Sequence, residues 1–396
     1  MTGKVVIAGA GIAGLTAGAA LARQGFDVEI YEQAPDLAEA GAGIQLSPNA
    51  MKVLDRLGSG AEVAERGDRP AFAAIRHWRT GAAHLRIALD GVCQDRYGAA
   101  FVQIHRSDLQ SVLADTAQAA GVRLHLGRRI VGYDSGTTTS ALLDNGEAIS
   151  ADLLIGADGI RSAVRDQMLG ADAPRFTGHV AWRAAVPVQP SGLIAEGATV
   201  WAGPGRHVVT YPLRGGSMVN LVAVEERNSS HEESWTNEGD PSVLRATFKG
   251  WHPEVTKLMA QVDKIWIWSL HDRPALKTWT DGSVGLIGDA SHPTLPFMAQ
   301  GAAMGIEDAG LLSVMLGTGV APATALRSFE ARRKQRTMQL QARARANGAL
   351  FHLTEGPFGM ISKAKLMAAG LLQGSMAMWP LDWIYRYDAM DLVEDG

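Results

Sequence analysis

The sequence has little of what would commit it to several common protein classes. It holds a single cysteine, Cys93, in 396 residues, so no internal disulfide can form and a reducing, cytoplasmic setting is expected. Its 37 basic and 41 acidic side chains leave a net charge of −4, which gives neither nucleic acid nor an anionic membrane a matching surface. No uninterrupted apolar run reaches bilayer length. The most apolar late stretch, residues 366–383, is broken by Gln373, Gly374, Ser375, Pro380 and Asp382, and reads as helix packed on the body rather than as a membrane span. The N-terminus runs directly into Val5-Val6-Ile7-Ala8, a buried-strand pattern rather than a cleavable leader. Eleven histidines show no HxxxH or HExxH spacing and meet no cysteine cluster, so no protein metal site is expected. No serine sits in a nucleophile elbow, which leaves hydrolysis unsupported. Repeats and low-complexity segments are missing too.

What is present is an ordinary globular balance, 46% hydrophobic and 20% charged, enough for one large domain with an insertion or for two interleaved domains. The short apolar run at residues 5–8 suits a parallel strand buried on both faces. Gly9-Ala10-Gly11-Ile12-Ala13-Gly14 makes a tight turn, residues 15–24 favour helix, and Gly25 suits the position after a helix end. Val28-Glu29-Ile30-Tyr31-Glu32 reads as a second strand. In such a unit the first glycine permits the turn, the second lets backbone approach a pyrophosphate, and the third packs helix on strand. The helix N-terminus then offers its free N–H groups to the anion. Glu32, 18 residues after Gly14, is spaced to accept from a ribose hydroxyl, with Gln33 beside it. Nucleotide binding follows, although this element alone does not separate FAD from NAD.

Two further apolar strands end in acids: residues 151–159, closing on Asp158-Gly159 before Arg161, Ser162 and Arg165, and residues 284–289, closing on Gly288-Asp289 before Ala290-Ser291-His292-Pro293. An aspartate in that position can also be a plain helix N-cap. Residues 72–102 and 177–270 differ in texture. Ala198-Thr199-Val200-Trp201 and His207-Val208-Val209-Thr210-Tyr211 alternate at period two, and a similar run follows Arg214-Gly215-Gly216. This predicts antiparallel strands with one wet and one dry face. Residues 225–240 read as an exposed loop. Residues 323–350 read as a helix whose basic run (Arg327, Arg332, Arg333, Lys334, Arg336, Arg343, Arg345) forms a solvated face.

Taken in order, the glycine turn with Glu32, His105-Arg106-Ser107-Asp108-Leu109, Asp158-Gly159 and Gly288-Asp289 resemble the single-component FAD-dependent aromatic hydroxylases of the para-hydroxybenzoate hydroxylase class, over essentially the whole chain. The resemblance implies a mixed α/β fold: a Rossmann-like FAD-binding domain (residues 1–71, 103–176 and 271–350), an inserted antiparallel-sheet substrate domain (72–102 and 177–270) and a C-terminal helical segment (351–396). It assigns Gly9, Gly11, Ala13, Gly14, Glu32 and Gln33 to the adenosine half of FAD. Arg106 falls near its phosphates or ribose, Gly288 and Asp289 at the ribityl chain, and Asp158 in a motif serving both FAD and the passing nicotinamide. Gln300, Gly301 and Ala302 open a helix aimed at the flavin, where the dipole favours the anionic reduced ring. Gly43, Ile44, Gln45 and Pro296 lie beside the ring, with Phe297 and Met298 covering its edge.

On the substrate side the resemblance offers Tyr211 as a pocket residue and His207, on the same strand face, as a base or carboxylate partner. The expected reaction uses NADH or NADPH as a transient co-substrate and O2, through a flavin hydroperoxide, to hydroxylate a small aromatic acid. Met298-Ala299-Gln300-Gly301 and Phe351-His352-Leu353 are most similar to salicylate 1-hydroxylases and 6-hydroxynicotinate 3-monooxygenases. The pyridine enzymes carry a histidine where this chain has Phe297, so salicylate to catechol, with decarboxylation, leads, and 3-hydroxybenzoate 6-hydroxylation follows closely. His292, beside the Gly288-Asp289 motif, reads as a cap or buttress of its loop rather than as a group that touches the chemistry. A flavin oxidase or dehydrogenase, or a flavin-binding protein without turnover, stays open, as does monomer or homodimer.

Overall fold

The computed structural model describes residues 3–37, 42–136, 138–188, 197–228, 238–352 and 374–391, with side chains in the last segment from residue 378. Two large sheets organise them. The first runs in the order Thr280–Asp281, Val284–Leu286, Leu153–Gly156, Lys4–Ala8, Asp27–Glu32, Arg123–Leu126, parallel except for its outermost pair. Val5, Val6 and Ile7 are fully buried because helices cover both faces, and that is why this strand reads as one apolar run. The helices Ile12–Arg23, Arg106–Ala119 and Gly301–Gly317 pack on it. Three acid-bearing strand ends therefore emerge along one edge, with the glycine turn after Lys4–Ala8 between two of them.

The second sheet has eight strands, in the order Glu238–Gly239, Ile265–Asp272, Arg175–Pro187, Met218–Glu226, Arg206–Leu213, Ala198–Gly203, Phe72–His77, Ala83–Ala88. It departs from the expected antiparallel pattern at one pair: Ala198–Gly203 runs parallel to Phe72–His77. These two strands are joined through the first sheet rather than by a hairpin, so nothing forces them antiparallel. Nor is one face simply wet. Trp182, Trp201 and Val208 pack beneath the short helices Pro241–Thr247 and Pro253–Ala260. Ala181 and Val224, on the other face, pack with Phe297 and Phe351.

Two local expectations need correction. Glu225 and Glu226 end a strand instead of opening a loop. Glu225 is buried and accepts from Trp182 Nε1 at 2.8 Å and Arg227 Nε at 2.9 Å, while Glu238–Gly239 is an edge strand and residues 229–237 lie outside the described residues. The basic run is only partly a solvated face. Within the helix Pro322–Phe351, Arg333 is wholly buried and faces the core with Phe329, Thr337, Leu340 and Ala344. Much of the expected C-terminal helical segment, residues 353–373, also lies outside the described residues. Among those described, no helix is long and apolar enough to cross a membrane.

Cys93 is buried, and burial, with Asp90 nearby, pushes its thiol up to about 12. Since the thiolate is the reactive species, the native protein is expected to leave a disulfide reagent such as Ellman's unconsumed at mildly alkaline pH. One equivalent should react after denaturation.

Candidate active site

The glycine turn separates what the protein needs from what it leaves open. Gly9 takes φ +98°, and a Cβ there would meet Ala157 O at 2.6 Å; a Cβ on Gly14 would meet Gly9 O at 2.0 Å. Both glycines are demanded by the chain's own packing. A Cβ on Gly11 would meet nothing within 4 Å, so its bareness serves something outside the chain. The helix starting at Ile12 has neither a side-chain cap nor an acid in its first turn, leaving amides open to an anion. Ala13 is a seam residue: its Cβ lies 2.9 Å from the positions that a Cβ on Gly288 or Gly305 would take. Glu32 accepts from Ala10 N–H at 2.7 Å and Ala34 N–H at 2.9 Å, so the turn it serves also fixes it, and lone pairs remain for hydroxyls. Gln33 is exposed beside it.

Asp158 does act as a helix cap: its Oδ2 accepts from Ala163 N–H at 2.8 Å and Val164 N–H at 3.3 Å. Its Oδ1 is buried with no partner, and burial pushes its carboxyl pKa up. An orphaned carboxylate oxygen at a strand end calls for a donor from a ligand. Asp289 is exposed to solvent yet flanked by protein, as the wall of an open cleft is. Crowding raises its pKa, while the charges of His292 and Arg106 lower it. Arg106 and Asp289, far apart in sequence, thus lie within reach of each other's charge. Burial of a neutral nucleotide segment against such a wall would leave each acid facing hydroxyl donors.

Beneath the cleft lies a buried polar network that sequence reading left without a role. Asp308 Oδ2 accepts from Gly288 N–H at 2.8 Å and sits 2.6 Å from His292 Nε2; its Oδ1 accepts from Arg333 Nε at 2.7 Å. Arg333 also donates to Glu307 at 2.7 Å, as does Arg336. Asn49 Nδ2 bridges Glu307 Oε1 at 2.6 Å and Gln300 Oε1 at 3.1 Å, and Gln300 Nε2 reaches Ser47 Oγ at 2.9 Å. His292 therefore buttresses its loop. The Gln300 side chain is spent inside the protein, whereas Gly301 and Ala302 begin the helix Gly301–Gly317 with no cap and no acid in its first turn. The signal was available: two adjacent acids in an otherwise uncharged helix require a buried cation.

The substrate-side residues fall on one sheet face. Gly43 N–H donates to Asn220 Oδ1 at 2.7 Å, and a Cβ on Gly43 would lie 2.5 Å from the Tyr211 ring, so the loop carrying half-buried Ile44 and Gln45 is seated on that ring. Burial pushes the Tyr211 phenol pKa up, and the Arg183 charge opposes it. Arg183 shares the face with Ala181, its guanidinium 4.6 Å from the Trp268 ring centroid; sequence reading missed it. His207 is buried, its Nδ1 2.8 Å from His352 Nε2, with Phe297 5.1 Å and Phe351 5.3 Å away ring to ring. Burial holds its pKa well below the usual histidine value, with His352 and His179 adding to the effect. Four residues along a strand span about 13 Å, so Tyr211 and His207 flank the face rather than converge. Pro296 is exposed and Phe297 buried between the two halves.

Comparison with known proteins gives the family. An FAD binding domain model matches residues 2–344. A 3-amino-4-hydroxybenzoate 2-monooxygenase of Streptomyces cremeus is 39% identical over 361 residues, covering 89% of each chain. A 3-hydroxybenzoate 6-hydroxylase of Aquipseudomonas alcaligenes is 35% identical over 399 residues, covering 99% of each. Among solved structures, Klebsiella pneumoniae HpxO complexed with FAD and uric acid superposes with a TM-score of 0.82 at 27% identity, over 94% of this chain and 93% of that one.

Proposed function

Because the chain belongs to the FAD binding domain family, within its aromatic monooxygenases, we propose that it hydroxylates a carboxylated monohydroxybenzene, with NADH or NADPH and O2 as co-substrates. The observation that carries this reading is one sheet face presenting His207, Tyr211 and Arg183 beside the cleft of Asp289 and Gly301. We take residues 1–71, 103–176 and 271–350 as the FAD domain, 72–102 and 177–270 as the substrate domain, and the rest as a C-terminal segment. The names of the relatives support 3-amino-4-hydroxybenzoate and 3-hydroxybenzoate, and also 6-hydroxynicotinate, as candidate acids. Salicylate, with loss of its carboxylate, is the second reading, and Phe297 speaks against 6-hydroxynicotinate.

The residues present fit FAD: an open cradle at Gly11, an orphaned oxygen on Asp158, a solvent-facing Asp289 and two uncapped helix starts. Gly9, Gly11, Ala13 and Gly14 would hold the pyrophosphate, Glu32 the ribose with Gln33 at its rim, and Arg106 the phosphates. Gly288 and Asp289 would hold the ribityl chain, and Asp158 would serve both FAD and the passing nicotinamide. Gly43, Ile44, Gln45, Pro296, Gln300, Gly301 and Ala302 would frame the ring. When bound, FAD supplies the acceptance of a hydride and the activation of O2. The chain's own part is positioning and proton handling. Arg183 takes the carboxylate, the buried neutral His207 accepts the phenolic proton, and Phe297 and Phe351 keep water from the ring.

The test follows nicotinamide oxidation by FAD-loaded protein with each acid and identifies the product. A hydroxylated product with stimulated oxidation is expected for at least one. Arg183→Met should raise KM for that acid roughly 10- to 100-fold, the value of hydrogen bonds to a charged group, and leave KM for the carboxylate-free phenol unchanged. Equal shifts for both would remove Arg183 from the carboxylate role.

A further inference from the structure

Outside the cleft, one cluster of ligating side chains has no assigned task. His179 lies on the strand Arg175–Pro187, Glu226 ends the strand Met218–Glu226, and His352 follows the helix Pro322–Phe351. One ligand atom from each lies within 4.8 Å of the others. The sheet register sets His179 directly opposite Glu226, and His352 Nδ1 stands 2.7 Å from Glu226 Oε1. The Glu226 side chain is 58% exposed while that of His352 is 3%, so the cluster opens to solvent on its carboxylate side.

We infer that His179, Glu226 and His352 form a binding site for a borderline divalent cation, of the zinc class. Two imidazoles and a carboxylate match that class, whereas calcium and magnesium demand oxygen-rich shells. Zinc bonds of about 2.0–2.1 Å need ligand atoms roughly 3.3 Å apart, so closing the site takes side-chain adjustments of about 1 Å. Outer partners are already in place. Thr177 Oγ1 lies 3.3 Å from His179 Nδ1, leaving Nε2 as the ligand atom. His207 Nδ1 lies 2.8 Å from His352 Nε2 and accepts the proton that metal at Nδ1 would leave there. The exposed side of Glu226 leaves the fourth position to water. The members are 47 and 126 residues apart, from 179 to 226 and from 226 to 352, which is why motif spacing cannot show them.

Occupancy has a consequence at the pocket. Without a cation, Glu226 accepts from His352 Nδ1–H, so His352 Nε2 accepts from His207 Nδ1–H and His207 keeps Nε2 unprotonated. A cation at His352 Nδ1 reverses the bond between the two rings and moves the remaining His207 proton to Nε2. The base becomes a donor, and turnover stops. This inhibition rests on the proposed role of His207; the site itself does not.

Calorimetric titration of the FAD-loaded protein with zinc is expected to show one saturable site of micromolar affinity. Glu226→Gln and His179→Ala, each verified to keep FAD and the native circular dichroism, should weaken it by at least about 10-fold, the loss that even an outer partner of a ligand costs. In the wild type, zinc should inhibit acid-stimulated turnover with the same midpoint. Absence of a one-to-one site, or uptake indifferent to both substitutions, overturns the proposal. Binding that depends on both residues while turnover is unaffected upholds the site and counts against His207 as the base.

Discussion

Gly11→Ala is expected to fold as the parent does and to emerge from purification without FAD, whereas Gly14→Ala is expected to be strongly destabilised. The two glycines stand three residues apart in one turn, and composition treats them alike. Structure does not. A Cβ on Gly14 would sit 2.0 Å from Gly9 O, a backbone atom at the end of a fully buried strand. Relief requires moving helix from sheet, at about 3 kcal/mol, the upper range of overpacking in a tight core. A Cβ on Gly11 meets nothing within 4 Å, and its φ of −70° suits any residue. The methyl group would occupy the cradle instead and hold a pyrophosphate off the N-terminal amides. Losing one or two hydrogen bonds to a charged group weakens binding by about 100-fold. Melting curves of the FAD-free proteins, paired with flavin retained on gel filtration, separate the two outcomes. A Gly11→Ala protein that keeps FAD at full occupancy would mean that the pyrophosphate lies elsewhere.

The second large effect is expected from Arg333→Met. Arg333 is fully buried between Glu307 and Asp308, themselves fully buried. Methionine roughly fills the space but leaves the two carboxylates only Arg336, whose carboxylate bonds go to Glu307, and His292, 2.6 Å from Asp308. Breaking a buried pair from one side costs about 3–5 kcal/mol, measurable as a lowered denaturation midpoint. The pH dependence carries a sign. Burial alone would raise the Asp308 pKa, but His292 and Arg333 outweigh it and hold the carboxyl at about 2. A depressed folded-state value contributes stability that is complete above the unfolded carboxylate range and is lost as pH falls through it toward 2. In Arg333→Met the Asp308 carboxyl loses one of the two charges that depress it and shifts upward, so part of its stabilising share is lost at neutral pH. The deficit against the wild type should be largest near neutrality and shrink below about pH 4. Because Asp308 also holds Gly288 N–H, and Glu307 holds Asn49 and through it Gln300, the variant should bind FAD more weakly as well.

The nucleotide half of this architecture is legible in the sequence because its physics is local. A strand buried on both faces must be apolar throughout, a turn that packs helix on strand must be bare at Gly9 and Gly14, and an acid at a strand end keeps a fixed distance from that turn. The substrate half depends on register between distant strands. Arg183, Asn220 and Tyr211 share a neighbourhood only because Arg175–Pro187, Met218–Glu226 and Arg206–Leu213 pair as they do, and no spacing rule encodes that. The parallel pairing of Ala198–Gly203 with Phe72–His77 escaped for the same reason. The basic helix misled differently. A count of charges says nothing about which face each charge takes, yet Arg333 lies in the stripe of Phe329, Thr337, Leu340 and Ala344, at the spacing of a core-facing helix. The acid pair at Glu307 and Asp308 was the other half of that message.

The central claim is that this chain inserts oxygen into an aromatic acid. It is tested most directly by turnover under oxygen-18-labelled dioxygen, with the product analysed by mass. A ring-hydroxylated product carrying one labelled atom is expected, formed with consumption of the reduced nicotinamide, and no label when only the water is enriched. An oxidised product without label, or nicotinamide oxidation that ends wholly in hydrogen peroxide with every carboxylated phenol offered, would contradict it and leave an FAD-dependent oxidase or dehydrogenase in its place.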